Sequence, residues 1–126
     1  MFLTLEMDSE IPIYTQLANG LIEGIANGSL QPGDSLPSVR SLAADLGINM
    51  HTVNKAYHEL DKKGIVRIIP KSGAIVNVPS INPIAQGGVK SSLRPIIAEA
   101  LAIGLSEREI GVFMSELISN IKEEEQ

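Results

Sequence analysis

Apolar residues recur at helical spacing in the first part of the chain. The first such stretch predicts a helix that begins near Pro12 and runs to about Asn27, with an inward face formed by Ile13, Leu17, Leu21 and Ile25. Gly20 and Gly24 inside this helix leave room for another element to pack closely. The preceding residues 3–7 alternate only loosely, which fits either a short strand or an extended arm.

Two shorter helices are predicted next, joined by only three residues. The first covers residues 39–46, with Ser38 as its cap and Gly47 at its end. The second begins after Asn49 and ends before Gly64. Its apolar face carries Val53, Ala56, Tyr57 and Leu60, and the opposite face carries His51, Asn54, Lys55 and His58, with no carboxylate. This arrangement is typical of a helix-turn-helix whose second helix is the recognition helix.

Two short segments rich in Ile and Val follow, at residues 65–69 and 74–78. Between them lies a turn with a cation at its tip, formed by Pro70, Lys71, Ser72 and Gly73. The pattern predicts an α+β fold, in which three helices and a β-hairpin form a winged helix-turn-helix over residues 1–79.

The remainder, residues 80–126, is predicted to be a linker and a helical tail. The linker covers residues 79–88, which contain two prolines and two glycines. One helix is predicted at residues 93–105, and Ser106 with Glu109 forms a capping box for the last helix. Two helices of this size cannot bury their apolar faces alone, so the faces must pack on the winged domain or on another copy. We expect a dimer that is formed by Ile97, Leu101, Ile110, Phe113, Leu117 and Ile121.

Charge is distributed unevenly along the 126 residues. The net charge of −5 argues at first against a nucleic-acid partner. However, residues 36–80 contain six basic and three acidic residues, whereas acidic residues are in excess on both sides of that segment. The candidate recognition helix therefore lies in the only basic part of the sequence, which favours DNA as its partner.

Several classes of function are disfavoured by what the sequence lacks. It has no cysteine, no nucleophile–base pair, no paired carboxylates and no phosphate-binding glycine loop, so we expect neither an enzyme nor a cofactor. His51 and His58 share a helix face, but no third ligand accompanies them, so no metal site is expected. No apolar run approaches the roughly 18 residues that a membrane span needs. We expect a soluble cytoplasmic protein with no membrane partner.

Five short motifs carry a family resemblance. They are Leu36-Pro37-Ser38-Val39-Arg40, Ala43-Ala44-Asp45-Leu46-Gly47-Ile48, Thr52-Val53-Asn54-Lys55-Ala56-Tyr57, Leu60-Asp61-Lys62-Lys63-Gly64 and Lys71-Ser72-Gly73-Ala74-Ile75-Val76. In this order and spacing they resemble the DNA-binding domain of GntR-family bacterial transcription regulators over residues 10–78. The short helical tail resembles that of the YtrA-like subgroup, which lacks a large effector domain.

The resemblance implies roles for individual residues. Arg40 would contact a base or the backbone in the major groove, and the same is implied for Asn49, His51, Thr52 and Asn54. Lys71, Ser72 and Gly73 would touch the minor groove or phosphates, and Lys55 is either a phosphate neighbour or a solvated charge. The chain departs from the family at the start of the recognition helix and in the hairpin turn, or wing. Many members have Pro at the position of Met50 and Asn at that of His51. The wing usually has Gly-x-Gly where this chain has Lys71-Ser72-Gly73, and Thr with an aromatic residue where it has Ala74-Ile75.

The sequence thus predicts a transcription regulator, which we expect to act as a repressor and to bind double-stranded DNA as a homodimer on an inverted repeat. The alternative is a winged domain that serves as a protein-interaction module without specific DNA binding. The sequence does not identify an effector. A small-molecule effector would have to bind between the tail and the winged domain.

Overall fold

The computed structural model describes residues 3–123 and contains, within them, five helices and one three-stranded sheet. In chain order the elements are α1 (Ile13–Ala26), β1 (Ser35–Leu36), α2 (Val39–Leu46), α3 (Met50–Lys62), β2 (Val66–Ile69), β3 (Gly73–Val76), α4 (Pro83–Ala102) and α5 (Glu107–Glu123). The described residues divide into two compact units, residues 3–79 and Ser80–Glu123. The α+β winged helix-turn-helix is confirmed.

The core of the first unit is built around α3. Four side chains of this helix are fully buried, and they are the predicted apolar face Val53, Ala56, Tyr57 and Leu60. Leu17 and Leu21 of α1 and Leu42 of α2 pack in the same cluster. All the buried apolar residues of the described chain lie between Leu17 and Val76. This unit therefore has a core of its own.

The predicted helix caps are present. Ser38 Oγ accepts a hydrogen bond from the Ser41 N–H at 3.1 Å, and Asn49 Oδ1 accepts from the His51 N–H at 2.7 Å. Gly47 ends α2 in the left-handed conformation, with φ of 68°. These contacts separate α2 from α3 by a three-residue turn, as the sequence predicts.

The sheet has the order β1–β3–β2 and is antiparallel throughout. The hairpin of β2 and β3 is confirmed, whereas β1 was not predicted. Ser35 pairs with Ile75 and Leu36 with Ala74. The last strand ends at Val76, and Asn77 holds the following segment to the start of β2, because its backbone N–H donates to the Ile65 carbonyl at 3.0 Å and its side chain donates to the Gly64 carbonyl at 2.9 Å.

The N-terminal segment is an extended arm and not a strand. Gln16 holds it to α1, since its side-chain amide accepts from the Glu6 N–H at 2.8 Å and donates to the Glu6 carbonyl at 3.0 Å. Leu3 and Leu5 pack against the core, and Leu3 lies directly over Gly20. A closely packed element at Gly20 is thus confirmed.

In the second unit the predicted linker is wrong in extent, because α4 already begins at Pro83. Proline is well tolerated at the first helical position, and Asn82 Oδ1 caps the helix by accepting from the Ala85 N–H at 2.8 Å. Gly87 and Gly88 lie inside α4, where each weakens it by only about 1 kcal/mol relative to Ala. The helix also ends at Ala102, three residues before the predicted end.

The capping box of α5 is confirmed. Glu109 Oε1 accepts from the Ser106 N–H at 2.9 Å, and Ser106 Oγ accepts from the Glu109 N–H at 3.1 Å. The hydrogen bond from the Ser106 backbone, aided by that from its side chain, lowers the pKa of Glu109 below its usual value. No residue of α4 or α5 that the structure describes is buried. Among residues 3–123, no helix is long and apolar enough to cross a membrane.

Candidate nucleic-acid interface

A groove of about 560 Å³ lies between the starts of α2 and α3 and the turn that joins β2 to β3. Its walls are Ser38, Val39, Arg40, Met50, Asn54, Tyr57, Ile68, Ile69, Pro70, Lys71 and Gly73. Arg40, Asn54 and Lys71, which the sequence analysis assigns to DNA, come from three different elements and meet at this groove. All three are exposed to solvent.

Tyr57 fixes the position of α2 relative to α3. Its hydroxyl donates a 2.7 Å hydrogen bond to the Pro37 carbonyl, one residue before the cap of α2. The Tyr57 side chain is fully buried, and this burial raises its pKa to about 12. The prediction that Tyr57 belongs to the core is confirmed. Its hydroxyl also anchors the segment that carries Arg40.

The turn between the hairpin strands places a lysine in an unusual conformation. The Ser72 N–H donates to the Ile69 carbonyl at 3.0 Å, with Pro70 and Lys71 as the two central residues. Lys71 has φ of 69°, and every other described residue with positive φ is a glycine. In a turn of this kind the third position requires positive φ, which favours glycine. The left-handed conformation costs a non-glycine residue about 1–2 kcal/mol.

Gly73 is buried, in contrast to its exposed neighbours Lys71 and Ser72. Its φ is 91°, and a Cβ atom at this position would collide with the backbone carbonyl oxygens of Leu36 and Pro37. The glycine therefore allows β3 to lie close against β1, which is a packing role. Its contact with DNA stays a prediction.

The other predicted DNA-binding residues of α3 lie outside the groove walls. Asn49 and His51 are exposed at the helix start, and Thr52 is half-buried. Lys55 turns toward α1, where its Nζ lies 4.1 Å from the centroid of the Tyr14 ring, within the range of a cation–π interaction. The structure thus divides the predicted α3 residues between the groove side of the helix and its outer surface.

The His58 side chain contacts the backbone of its own helix, α3. Its Nδ1 lies 2.8 Å from the Asn54 carbonyl oxygen, one turn earlier on the same helix. Within residues 3–123, no group of three or more histidine and carboxylate side chains could hold a metal ion.

The groove combines cationic and apolar surface. Arg40 and Lys71 supply positive charge, Asn54 supplies an amide, and none of the described residues that form the walls is a carboxylate. Met50, Ile69 and Pro70 add apolar walls that the sequence analysis did not assign. For Met50, the sequence did offer one signal, because many members of the GntR family have Pro at this position. Guanidinium, amide and ammonium groups around one groove can bind phosphates and base edges.

The six residues predicted to form a dimer lie on α4 and α5. Leu101, Phe113 and Leu117 expose 53%, 47% and 58% of their surface. Ile97, Ile110 and Ile121 are half-buried. Their pairing with a second copy of the chain stays a prediction.

Comparison with known proteins gives a consistent result. The sequence model described as "Bacterial regulatory proteins, gntR family" matches residues 13–76. The HTH-type transcriptional repressor YtrA of Bacillus subtilis is 31% identical over 117 residues, covering 90% of this chain and 90% of that protein.

Two solved structures are similar over most of the chain. YtrA from Sulfolobus acidocaldarius, a GntR-family transcription factor, is 40% identical with a TM-score of 0.68, covering 81% of this chain and 99% of that one. A transcriptional antiterminator from Listeria monocytogenes is 27% identical with a TM-score of 0.86, covering 97% and 92%. Both the winged unit and the helical tail therefore have counterparts in other proteins.

Proposed function

Because the chain belongs to the gntR family of bacterial regulatory proteins, we propose that it is a transcription repressor that binds a specific operator DNA. The single observation that carries this proposal is the convergence of Arg40, Asn54 and Lys71 on one open groove beside the recognition helix. The relative of matching length that is named a transcriptional repressor supports the direction of regulation.

The groove residues suit different parts of the DNA. Arg40 carries a planar guanidinium that can donate two hydrogen bonds to guanine, and Asn54 carries an amide that can pair with adenine. Lys71 is an exposed ammonium at the tip of the wing and suits a phosphate. In this proposal α2 and α3 discriminate between sequences, while the wing contributes affinity for any duplex.

The outer surface of α3 extends the proposed interface. His51 and Asn49 stand at the exposed helix start, where recognition helices contact base edges. Lys55, held over the Tyr14 ring, would approach the DNA backbone on the α1 side of the helix. Thr52, which is half-buried in the first turn of α3, adds a hydroxyl group to this proposed interface.

We also propose that the functional form is a homodimer paired through α4 and α5. The support is the apolar surface of α4 and α5, because no described residue of either helix is fully buried. A two-fold dimer presents two recognition helices related by symmetry, so its operator would be an inverted repeat. The proposal includes no reaction and no cofactor.

The test begins with selection of binding sites from random-sequence duplexes by the full-length protein. Fluorescence anisotropy then compares the selected duplex with a scrambled one over a range of salt concentrations. We expect an enriched inverted repeat, bound more tightly than the scrambled duplex, with an affinity that falls as salt increases. A protein-interaction module without specific DNA binding would enrich no sequence, which would refute the proposal.

Sedimentation equilibrium tests the oligomeric part separately. We expect the full-length protein to be a dimer at micromolar concentration. Leu117→Glu places a charge on the exposed apolar face of α5 and should shift the protein toward monomer. Glu116→Gln changes charge at the neighbouring position and serves as the matched control, with no expected effect on the dimer.

A further inference from the structure

Met50 is an apolar residue at the start of the helix that carries most of the predicted base contacts. It is the first residue of α3, and its side chain is 43% exposed. It does not belong to the core cluster or to the partly buried residues packed against that cluster. Instead it lines the groove together with Arg40 and Asn54. The packing of the unit therefore does not account for this side chain.

The position of Met50 indicates what it would meet. The first residues of a recognition helix are the ones that contact base edges in the major groove. That groove offers hydrogen-bonding groups and one apolar feature, the 5-methyl group of thymine. A thioether side chain is flexible and apolar, and it offers no N–H or O–H donor. A methyl group is the base feature that it can recognise.

We propose that Met50 is a specificity-determining residue that contacts the 5-methyl group of a thymine in each half of the operator. This inference rests on the proposed function. Asn54 lies four residues later on the same side of α3, about 6 Å along the helix axis. Base pairs are stacked about 3.4 Å apart, so the thymine should lie within about two base pairs of the base that Asn54 contacts.

The test removes the methyl group without changing base pairing. In the duplex selected by the full-length protein, each thymine is replaced in turn by deoxyuridine, and the dissociation constant is measured by anisotropy. At one thymine per half-site, replacement should weaken wild-type binding about fourfold, the factor expected for burying one methyl group. The full-length Met50→Ala variant should bind the thymine and deoxyuridine duplexes equally well.

Two controls isolate the contact. Met7→Ala removes another exposed methionine, one that lies in the N-terminal arm, and should keep the wild-type response to deoxyuridine. Thermal unfolding followed by circular dichroism should show that Met50→Ala is folded.

Other outcomes would overturn the inference. If no deoxyuridine replacement weakens wild-type binding, Met50 contacts no methyl group. If Met50→Ala weakens binding equally to the selected and scrambled duplexes, Met50 contacts the sugar–phosphate backbone instead. Failure of the selection to enrich any sequence would instead refute the proposed function, and this inference with it.

Discussion

The Tyr57 hydroxyl donates to the Pro37 carbonyl, the same carbonyl that a Cβ atom on Gly73 would strike. Three elements therefore meet at one peptide group: the middle of α3, the link from β1 to α2, and the start of β3. Arg40 follows Pro37 by three residues, and Lys71 precedes Gly73 by two. The backbone segments that carry Arg40 and Lys71 therefore both lie close to this peptide group.

Tyr57 should make stability depend on pH in the alkaline range. Its pKa is about 12 in the folded protein and about 10 in an unfolded chain. A raised pKa contributes stability that is complete below pH 10 and is lost as the pH rises through 12. The loss should approach about 2–3 kcal/mol. Urea unfolding of wild type and Tyr57→Phe between pH 9 and 12 measures it, with Tyr14→Phe as the control. A wild-type advantage over Tyr57→Phe that is constant with pH would contradict the prediction.

Gly73→Ala should strongly destabilise the winged unit. The added methyl group would press on two backbone carbonyls that cannot move without displacing β1. Strain at positive φ and overpacking together should cost about 3 kcal/mol or more. Gly64→Ala is the matched control, because Gly64 has φ of 75° but open space around its Cα. The Gly64→Ala variant should lose only the stability that an alanine at positive φ costs, about 1–2 kcal/mol. Equal losses in urea unfolding would show that the close approach to β1 is unimportant.

Arg40→Ala should weaken binding to the selected operator much more than binding to a scrambled duplex. An arginine that contacts a base contributes about 1–3 kcal/mol of discrimination. Arg67→Ala removes the same charge from β2, at an exposed position outside the groove, and should leave the ratio of the two affinities unchanged. Anisotropy titrations of wild type and both variants with the two duplexes give the six dissociation constants. If Arg40→Ala keeps the wild-type ratio, Arg40 does not contact a base.

Lys71 can be tested with two substitutions that share one effect and differ in another. Lys71→Ala and Lys71→Gly both remove the charge, so both should weaken binding to all duplexes and reduce the salt dependence by about one phosphate contact. Residue 71 has a left-handed backbone, which glycine adopts without strain and alanine does not. Lys71→Gly should therefore be more stable than Lys71→Ala by about 1 kcal/mol. An unchanged salt slope would mean that the wing does not touch the DNA backbone.

Local signals account for the parts of the fold that could be predicted. The cap at Ser38 and the glycine at Gly47 define α2, and the periodicity of α3 identifies its buried face. By contrast, β1 has only two residues and acquires strand geometry by pairing with β3, which lies nearly forty residues away. No local pattern could reveal that pairing.

The candidate site shows the same division between local and distant causes. Its residue types and helix faces could be predicted from sequence. The direction of Lys55 depends on Tyr14 in α1, and the burial of Gly73 depends on β1. The predicted start of α4 is too late because prolines and glycines usually interrupt helices, although Asn82 and Pro83 favour a helix start at that point.

Removal of residues 80–126 should leave a folded winged unit. Its core lies between Leu17 and Val76, and no described residue of α4 or α5 is buried. We expect residues 1–79 to unfold cooperatively and to sediment as a monomer. If the tail instead covers the winged unit, truncation should expose core surface and cause aggregation.

The same truncation tests the origin of specificity. One winged unit makes few contacts, whereas two joined units gain affinity through effective concentration. The full-length protein should therefore prefer half-sites about one helical turn, or a multiple of about 10 base pairs, apart. The truncated form should bind each half-site weakly and independently of the spacing between them. Titration of duplexes with half-sites moved in single base-pair steps measures this. A truncated protein that retains the full-length spacing preference would show that the dimer does not depend on the tail.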